Sequence, residues 1–128
     1  MMAKRVLVVE DRPDILELML LSLEGAGFEV EAALNGREAL EVQQRRAADV
    51  VITDIFMPEM DGIETIDRIR AEYPDTRIIA MSCDADDKQD YLKVARQIGA
   101  DATLAKPFAT ADLLQLVWRL AREEPGAP

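Results

Sequence analysis

At 128 residues the chain is long enough for one domain core and short for two. Twenty-five acidic against fifteen basic residues set a formal charge of −10, which repels phosphate backbones and anionic lipid and argues against direct nucleic-acid or membrane binding. With no histidine and a single cysteine, Cys83, the chain excludes an internal disulfide, a multi-cysteine zinc site, a His-ligated metal and a Ser-His or Cys-His nucleophile. Chemistry is left to carboxylates, lysine, hydroxyls or a group borrowed from a partner.

The opening Met1-Met2-Ala3-Lys4-Arg5 leads into only four apolar residues, Val6-Leu7-Val8-Val9, too few for a signal-peptide core. No apolar run approaches the roughly 20 residues of a membrane span, so the expectation is a soluble, cytoplasmic protein. Val6 to Val9 reads instead as a buried parallel strand. After Asp11-Arg12, Pro13 suits the first turn of a helix, on which Ile15, Leu18, Met19 and Ser22 recur at helical spacing until Gly25 and Gly27. Phe28 to Ala33 alternates, as a strand near a sheet edge does. Asn35 is expected to cap a second helix running through Arg46. Val50-Val51-Ile52-Thr53 is a third strand. A helix marked by Ile63, Ile66 and Ile69 follows and stops before Pro74. Ile78 to Met81 is the fourth strand, and Tyr91, Val94, Ala95 and Ile98 mark a helix ending at Gly99. Ala102 to Ala105 is a weaker fifth strand. Leu113, Leu116, Val117 and Leu120 mark the last helix, with Leu114 and Trp118 off its stripe. Residues 123–128 read as a frayed, disordered tail.

Five strands alternating with five helices predict an α/β fold, a doubly wound parallel sheet with helices on both faces. Polar residues follow the strands in step: Glu10-Asp11 after the first, Asp54 after the third, Ser82 after the fourth and Lys106 after the fifth. Ligands of open α/β sheets lie beyond the strands' carboxyl ends, where strand order reverses. In the order 2-1-3-4-5 that reversal falls between strands 1 and 3, so Glu10, Asp11 and Asp54 converge in one crevice flanked by Ser82 and Lys106. Three crowded carboxylates need neutralising, and an all-oxygen donor set suits Mg²⁺. A phosphoryl group there meets the metal, the Lys106 ammonium and the Ser82 hydroxyl, with Asp54 as the in-line nucleophile. Taken singly, Asp11 reads as a helix cap, Ser82 as a turn hydroxyl and Lys106 as a surface lysine; it is their common register that argues against those readings. Asp84, Asp86 and Asp87 read as a solvated loop and helix start, and Asp61-Gly62 as a turn and cap.

These residues resemble the receiver domain of two-component response regulators over residues 4 to 122. The resemblance rests on Val6-Leu-Val-Val-Glu-Asp11, on Asp54-Ile-Phe-Met-Pro-Glu-Met-Asp-Gly62, on Ser82, and on Gly99-Ala-Asp101 followed by Lys106-Pro-Phe108. It implies a flavodoxin-like (βα)5 three-layer sandwich that catalyses only its own phosphorylation and dephosphorylation. Asp54 is then the phospho-acceptor, with Glu10, Asp11 and the Phe56 backbone carbonyl completing the Mg²⁺ site. Lys106, before a cis peptide to Pro107, contacts the phosphate, and Ser82 stands at the switch position. The implied donor is a phosphohistidine on a sensor kinase or phosphotransfer protein. The implied output face is the fourth helix, fifth strand and fifth helix, where Trp118 is expected to meet a protein partner or a second copy. Three departures stand out. Thr103 replaces the usual switch aromatic, the loop after Ser82 is about two residues longer than in many relatives, and Cys83 takes a position usually held by Ala or Gly. With no effector domain read in the chain, output is expected through protein contacts. A non-phosphorylated scaffold is the alternative. An Asp-nucleophile phosphatase is disfavoured because Phe56 stands where its second Asp belongs. A mononucleotide-binding domain is disfavoured because Glu10-Asp11-Arg12-Pro13 replaces a glycine-rich phosphate loop.

Overall fold

The computed structural model describes residues 4–55, 62–83 and 88–122, with the backbone alone at 83 and 88–92. The expected tail, the Phe56 carbonyl, Asp61, Asp84, Asp86 and Asp87 lie outside the described residues, as does the loop after Cys83. Among the described residues five strands alternate with five helices: β1 (Arg5–Val9), α1 (Pro13–Gly25), β2 (Glu29–Ala33), α2 (Gly36–Arg45), β3 (Val50–Asp54), α3 (Gly62–Glu72), β4 (Arg77–Cys83), α4 (Lys88–Ile98), β5 (Ala102–Lys106) and α5 (Thr110–Arg122). All pairings among the described residues are parallel and the strand order is β2-β1-β3-β4-β5, the order expected from the family resemblance.

Side chains of a strand alternate between sheet faces, and each face here has its own core. Val6, Val8, Val50, Ile52, Ile79 and Met81 pack with Met19 and Leu23 of α1 and Leu113, Val117 and Leu120 of α5. Leu7, Val9, Val51, Ile78 and Ala80 pack with Ala39 and Val42 of α2, Ile66 and Ile69 of α3 and Ala95 of α4. Strands covered on both faces need apolar residues at every position, which is why β1, β3 and β4 read as unbroken apolar runs. β2, at the edge, keeps Glu29 exposed and Glu31 half-exposed.

Helix α1 corrects one expectation. Its buried stripe runs through Met19 and Leu23, with Leu16 and Leu20 beside them, while Leu18 is 57% exposed. Seven of its residues are Leu, Met or Ile, so the helix is apolar nearly all round and its period does not reveal which side faces the sheet. Helix α2 behaves as expected: the Asn35 side chain accepts from the Glu38 N–H at 2.9 Å.

Polar pins set the spacing of the layers. The Arg70 guanidinium of α3 donates to the Gly99 carbonyl (2.9 Å) and to Asp101 (2.6 Å), and Asp101 also accepts from the Ile78 N–H (2.8 Å). The close approach needs glycine, since Gly99 has φ +130° and a Cβ there would lie 2.7 Å from Arg70 Cγ. At the opposite end of the sheet from the acidic crevice, buried Gln43 accepts from the Ala48 N–H and donates to Thr76.

Candidate functional site

The alternation that builds the α1/α5 core also builds the site. Val6 and Val8 of β1, Val50 and Ile52 of β3, and Ala102 and Leu104 of β5 belong to that core. One step further along each strand, the same parity falls on Glu10, Asp54 and Lys106. The pattern thus turns from apolar to charged at the carboxyl ends of neighbouring strands, on both sides of the strand-order reversal.

The geometry brings four of the predicted residues together. Carboxylate oxygens of Glu10, Asp11 and Asp54 lie within 4.8 Å of one another. The Lys106 ammonium donates to Asp54 Oδ2 at 2.8 Å and to Glu10 Oε1 at 2.5 Å. The Lys106–Pro107 peptide bond is cis. Glu10 is fully buried, Asp54 is 7% exposed and Lys106 9% exposed, so these charges meet with little water between them. Ser82 is also fully buried, on β4 one residue past Met81, the residue paired with Asp54. It has the parity of Ile78 and Ala80 and so belongs to the sheet's other face.

The N-cap of α1 is Arg12, without a side-chain cap, and the Arg12 N–H is taken by Glu10 at 3.2 Å. Asp11 is left half-buried among the carboxylates rather than capping the helix.

Burial pushes the Glu10 carboxyl above the ordinary glutamate range, and the Asp54 charge adds to the effect. Together they outweigh the hydrogen bond and charge of Lys106 and the Arg12 N–H. For Lys106, burial lowers the pKa, but hydrogen bonds to Asp54 and Glu10 and their charges win and hold it above the usual lysine value. Lys106 is therefore a standing ammonium, and Glu10 is a carboxylate that needs more positive charge than one lysine provides. A donor set of carboxylate oxygens alone fits a hard divalent cation.

Gly62 is a structural part of the site that its reading as a turn and cap did not reveal. Its N–H donates to the Ile55 carbonyl at 2.8 Å, and a Cβ at this position would fall 2.2 Å from the Asp54 carbonyl oxygen and 2.4 Å from Ile55 Cα. The start of α3 thus lies directly on the backbone that carries Asp54, while the Thr53 hydroxyl donates to the same Asp54 carbonyl at 3.0 Å. The Asp-Gly pair before an apolar helical pattern was the one available signal. Gly62→Ala is expected to cost about 2 kcal/mol or more through backbone overpacking. Urea unfolding measures it, and an unchanged midpoint would show that the loop yields freely.

The comparisons with known proteins agree with this geometry. The family model of the response regulator receiver domain matches residues 6–118. The transcriptional regulatory protein PrrA of Mycobacterium bovis is 36% identical over 92% of this chain and 50% of its own length. The alkaline phosphatase synthesis transcriptional regulatory protein PhoP of Bacillus subtilis is 31% identical over 99% of this chain and 52% of its own. The chain therefore spans about half the length of these curated relatives. Among solved structures, the chemotaxis response regulator CheY4 of Vibrio cholerae superposes with a TM-score of 0.85 at 33% identity, covering 93% of this chain and 99% of that one. A CheY-like receiver domain protein from Methanospirillum hungatei gives 0.86 at 28% identity, covering 94% of each chain.

Proposed function

The chain belongs to the response regulator receiver family of two-component signalling, and from that premise we propose that it accepts a phosphoryl group on Asp54 in a Mg²⁺-dependent reaction. The observation that carries the proposal is the Lys106 ammonium bridging Asp54 and Glu10 in a crevice holding three carboxylates within 4.8 Å. Such a charge pattern suits a group that is itself multiply anionic and brings a cation with it.

An Asp54 carboxylate oxygen attacks the phosphorus of a phosphohistidine on a partner kinase or phosphotransfer protein. A P–O bond forms, the P–N bond breaks, and the imidazole leaves with the electron pair. Glu10, Asp11 and Asp54 would hold Mg²⁺, with the Phe56 carbonyl as the further oxygen that the family resemblance implies, and the ion would supply positive charge to the carboxylates and the incoming phosphoryl group. Lys106 is already charged and desolvated, so little reorganisation is required of it as charge moves to the phosphoryl oxygens. Ser82, on the neighbouring strand end, is the hydroxyl that answers the new phosphoryl group. Signalling then runs through protein contacts, within a domain spanning residues 4–122, in the cytoplasm. Thr103, half-buried on β5, is too small to serve as an aromatic relay, so activation is transmitted by another route.

Intact-mass measurement after incubation with Mg²⁺ and a small phosphodonor tests the reading. Wild type is expected to gain one phosphoryl group and Asp54→Asn none. Absence of an adduct from both the small donor and a phosphorylated kinase would instead favour a receiver-fold scaffold.

A further inference from the structure

Thr53 is a polar residue in an apolar layer. It stands on β3 immediately before Asp54 and is fully buried. Side chains alternate along a strand, so Thr53 points away from the acidic crevice, towards the face covered by α2 and α3. Its neighbours on that face are apolar. Val9 of β1 and Ala80 of β4 are its strand partners, and Val51 and Ile55 lie two residues to either side. Valine has the same branched shape and an equal liking for strands, and it brings no hydroxyl to satisfy. A hydroxyl buried among such groups is unfavourable unless it is hydrogen-bonded.

Its partner is the main chain of the residue that carries the chemistry. The Thr53 hydroxyl donates to the Asp54 carbonyl oxygen at 3.0 Å. That oxygen belongs to the peptide group joining Asp54 to Ile55. A tilt of this group is passed to the Asp54 Cα, from which the carboxylate hangs. Little tilt is tolerable there, because Asp54 Oδ2 sits 2.8 Å from the Lys106 ammonium and the carboxylate lies within 4.8 Å of those of Glu10 and Asp11. Gly62 touches the same carbonyl, since a Cβ on it would fall 2.2 Å from the oxygen, but its own N–H goes to the Ile55 carbonyl at 2.8 Å. Contact with α3 therefore limits how far the Asp54 carbonyl can move, and the Thr53 hydroxyl supplies the directed pull.

We infer that Thr53 is a positioning residue: its hydroxyl holds the Asp54–Ile55 peptide group and through it aims the Asp54 carboxylate at the cation and the phosphoryl group. The inference rests on the reading of Asp54 as phospho-acceptor. One of its readouts, affinity for Mg²⁺, requires no phosphoryl transfer.

Two substitutions in the full chain separate the hydroxyl from the packing. Thr53→Val keeps the shape and removes the donor. Thr53→Ser keeps the donor and gives up a buried methyl, so its urea midpoint is expected to fall. A residue that serves packing alone would make Thr53→Ser the poorer variant at the site; a positioning hydroxyl reverses that order. Titration calorimetry reads Mg²⁺ affinity, initial rates with a small phosphodonor at saturating Mg²⁺ read phosphorylation, and circular dichroism checks that both variants are folded. Thr53→Val is expected to lose roughly tenfold in each. Thr53→Ser is expected to stay close to wild type in both, despite its lower midpoint. An unchanged value of either in Thr53→Val overturns the inference. So does a Thr53→Ser variant as impaired as Thr53→Val. If wild type takes no phosphoryl group while Thr53→Val loses Mg²⁺ affinity and Thr53→Ser keeps it, the positioning of Asp54 stands and the phospho-acceptor reading falls.

Discussion

Lys106→Met is expected to slow phosphorylation of Asp54 by roughly 10²–10³-fold and to destabilise the metal-free protein by about 3 kcal/mol. Both effects follow from the same two hydrogen bonds, at 2.8 Å to Asp54 and 2.5 Å to Glu10. Methionine keeps the length and apolar stem of the side chain, so packing against its neighbours changes little. What disappears is the only ammonium facing the carboxylates among the described residues. Fully buried Glu10 and nearly buried Asp54 are left as like charges without it. Protonation of Glu10 sets a ceiling on the loss, because burial already holds its pKa above the ordinary value of 4.5. The deficit should therefore shrink as the pH is lowered towards that raised pKa. Initial rates with a small phosphodonor and urea unfolding at neutral pH measure the two effects. A variant with wild-type rate would remove Lys106 from the phosphoryl site, and one with wild-type stability would show that the carboxylates are neutralised by other means.

Mg²⁺ is expected to raise the unfolding free energy by about 2.7 kcal/mol at a hundredfold excess over its dissociation constant, which is about 10 °C in Tm for a domain of this size. Asp11→Asn should lose most of that gain, because Asp11 contributes one of the three clustered carboxylates and no α1 cap. The pH dependence has a definite sign. Burial raises the Glu10 pKa in the metal-free fold, whereas a bound cation favours its ionised form, so binding expels a proton. Affinity for Mg²⁺ therefore rises with pH through the raised Glu10 pKa and falls away below it. Lys106 does not interfere in this window, since its folded pKa lies above the usual 10.5 and it stays charged throughout. Thermal unfolding with and without Mg²⁺, repeated across the acid range, gives both results. Equal shifts for wild type and Asp11→Asn would contradict the carboxylate assignment. So would an affinity that grows as the pH falls.

The central strands were legible in the chain because each is covered on both faces and so must be apolar at every position. The alternating Glu29 and Glu31 marked β2 as an edge for the complementary reason. Charged residues breaking those runs at Glu10, Asp54 and Lys106 marked the ends that carry the chemistry. The phase of α1 was not legible: with apolar residues nearly all round, only the sheet beneath it decides that Met19 and Leu23 are buried and Leu18 is exposed. Gly62 looked like a turn residue, and only the packing of α3 onto β3 shows that the Asp54 backbone occupies the space of its missing side chain.

The sequence by itself determined the fold class and which residue types stand at the strand ends, because alternation and burial are local consequences of strand geometry, whereas the strand order followed only from the family resemblance. Tertiary structure alone decided which of those groups touch. Lys106 and Glu10 are 96 positions apart, and their contact exists because two crossovers bring β1 beside β3 and β5 within reach. The charge state of the site was decided there too, since burial and the neighbouring Asp54 charge raise the Glu10 pKa and two buried carboxylates hold Lys106 as an ammonium.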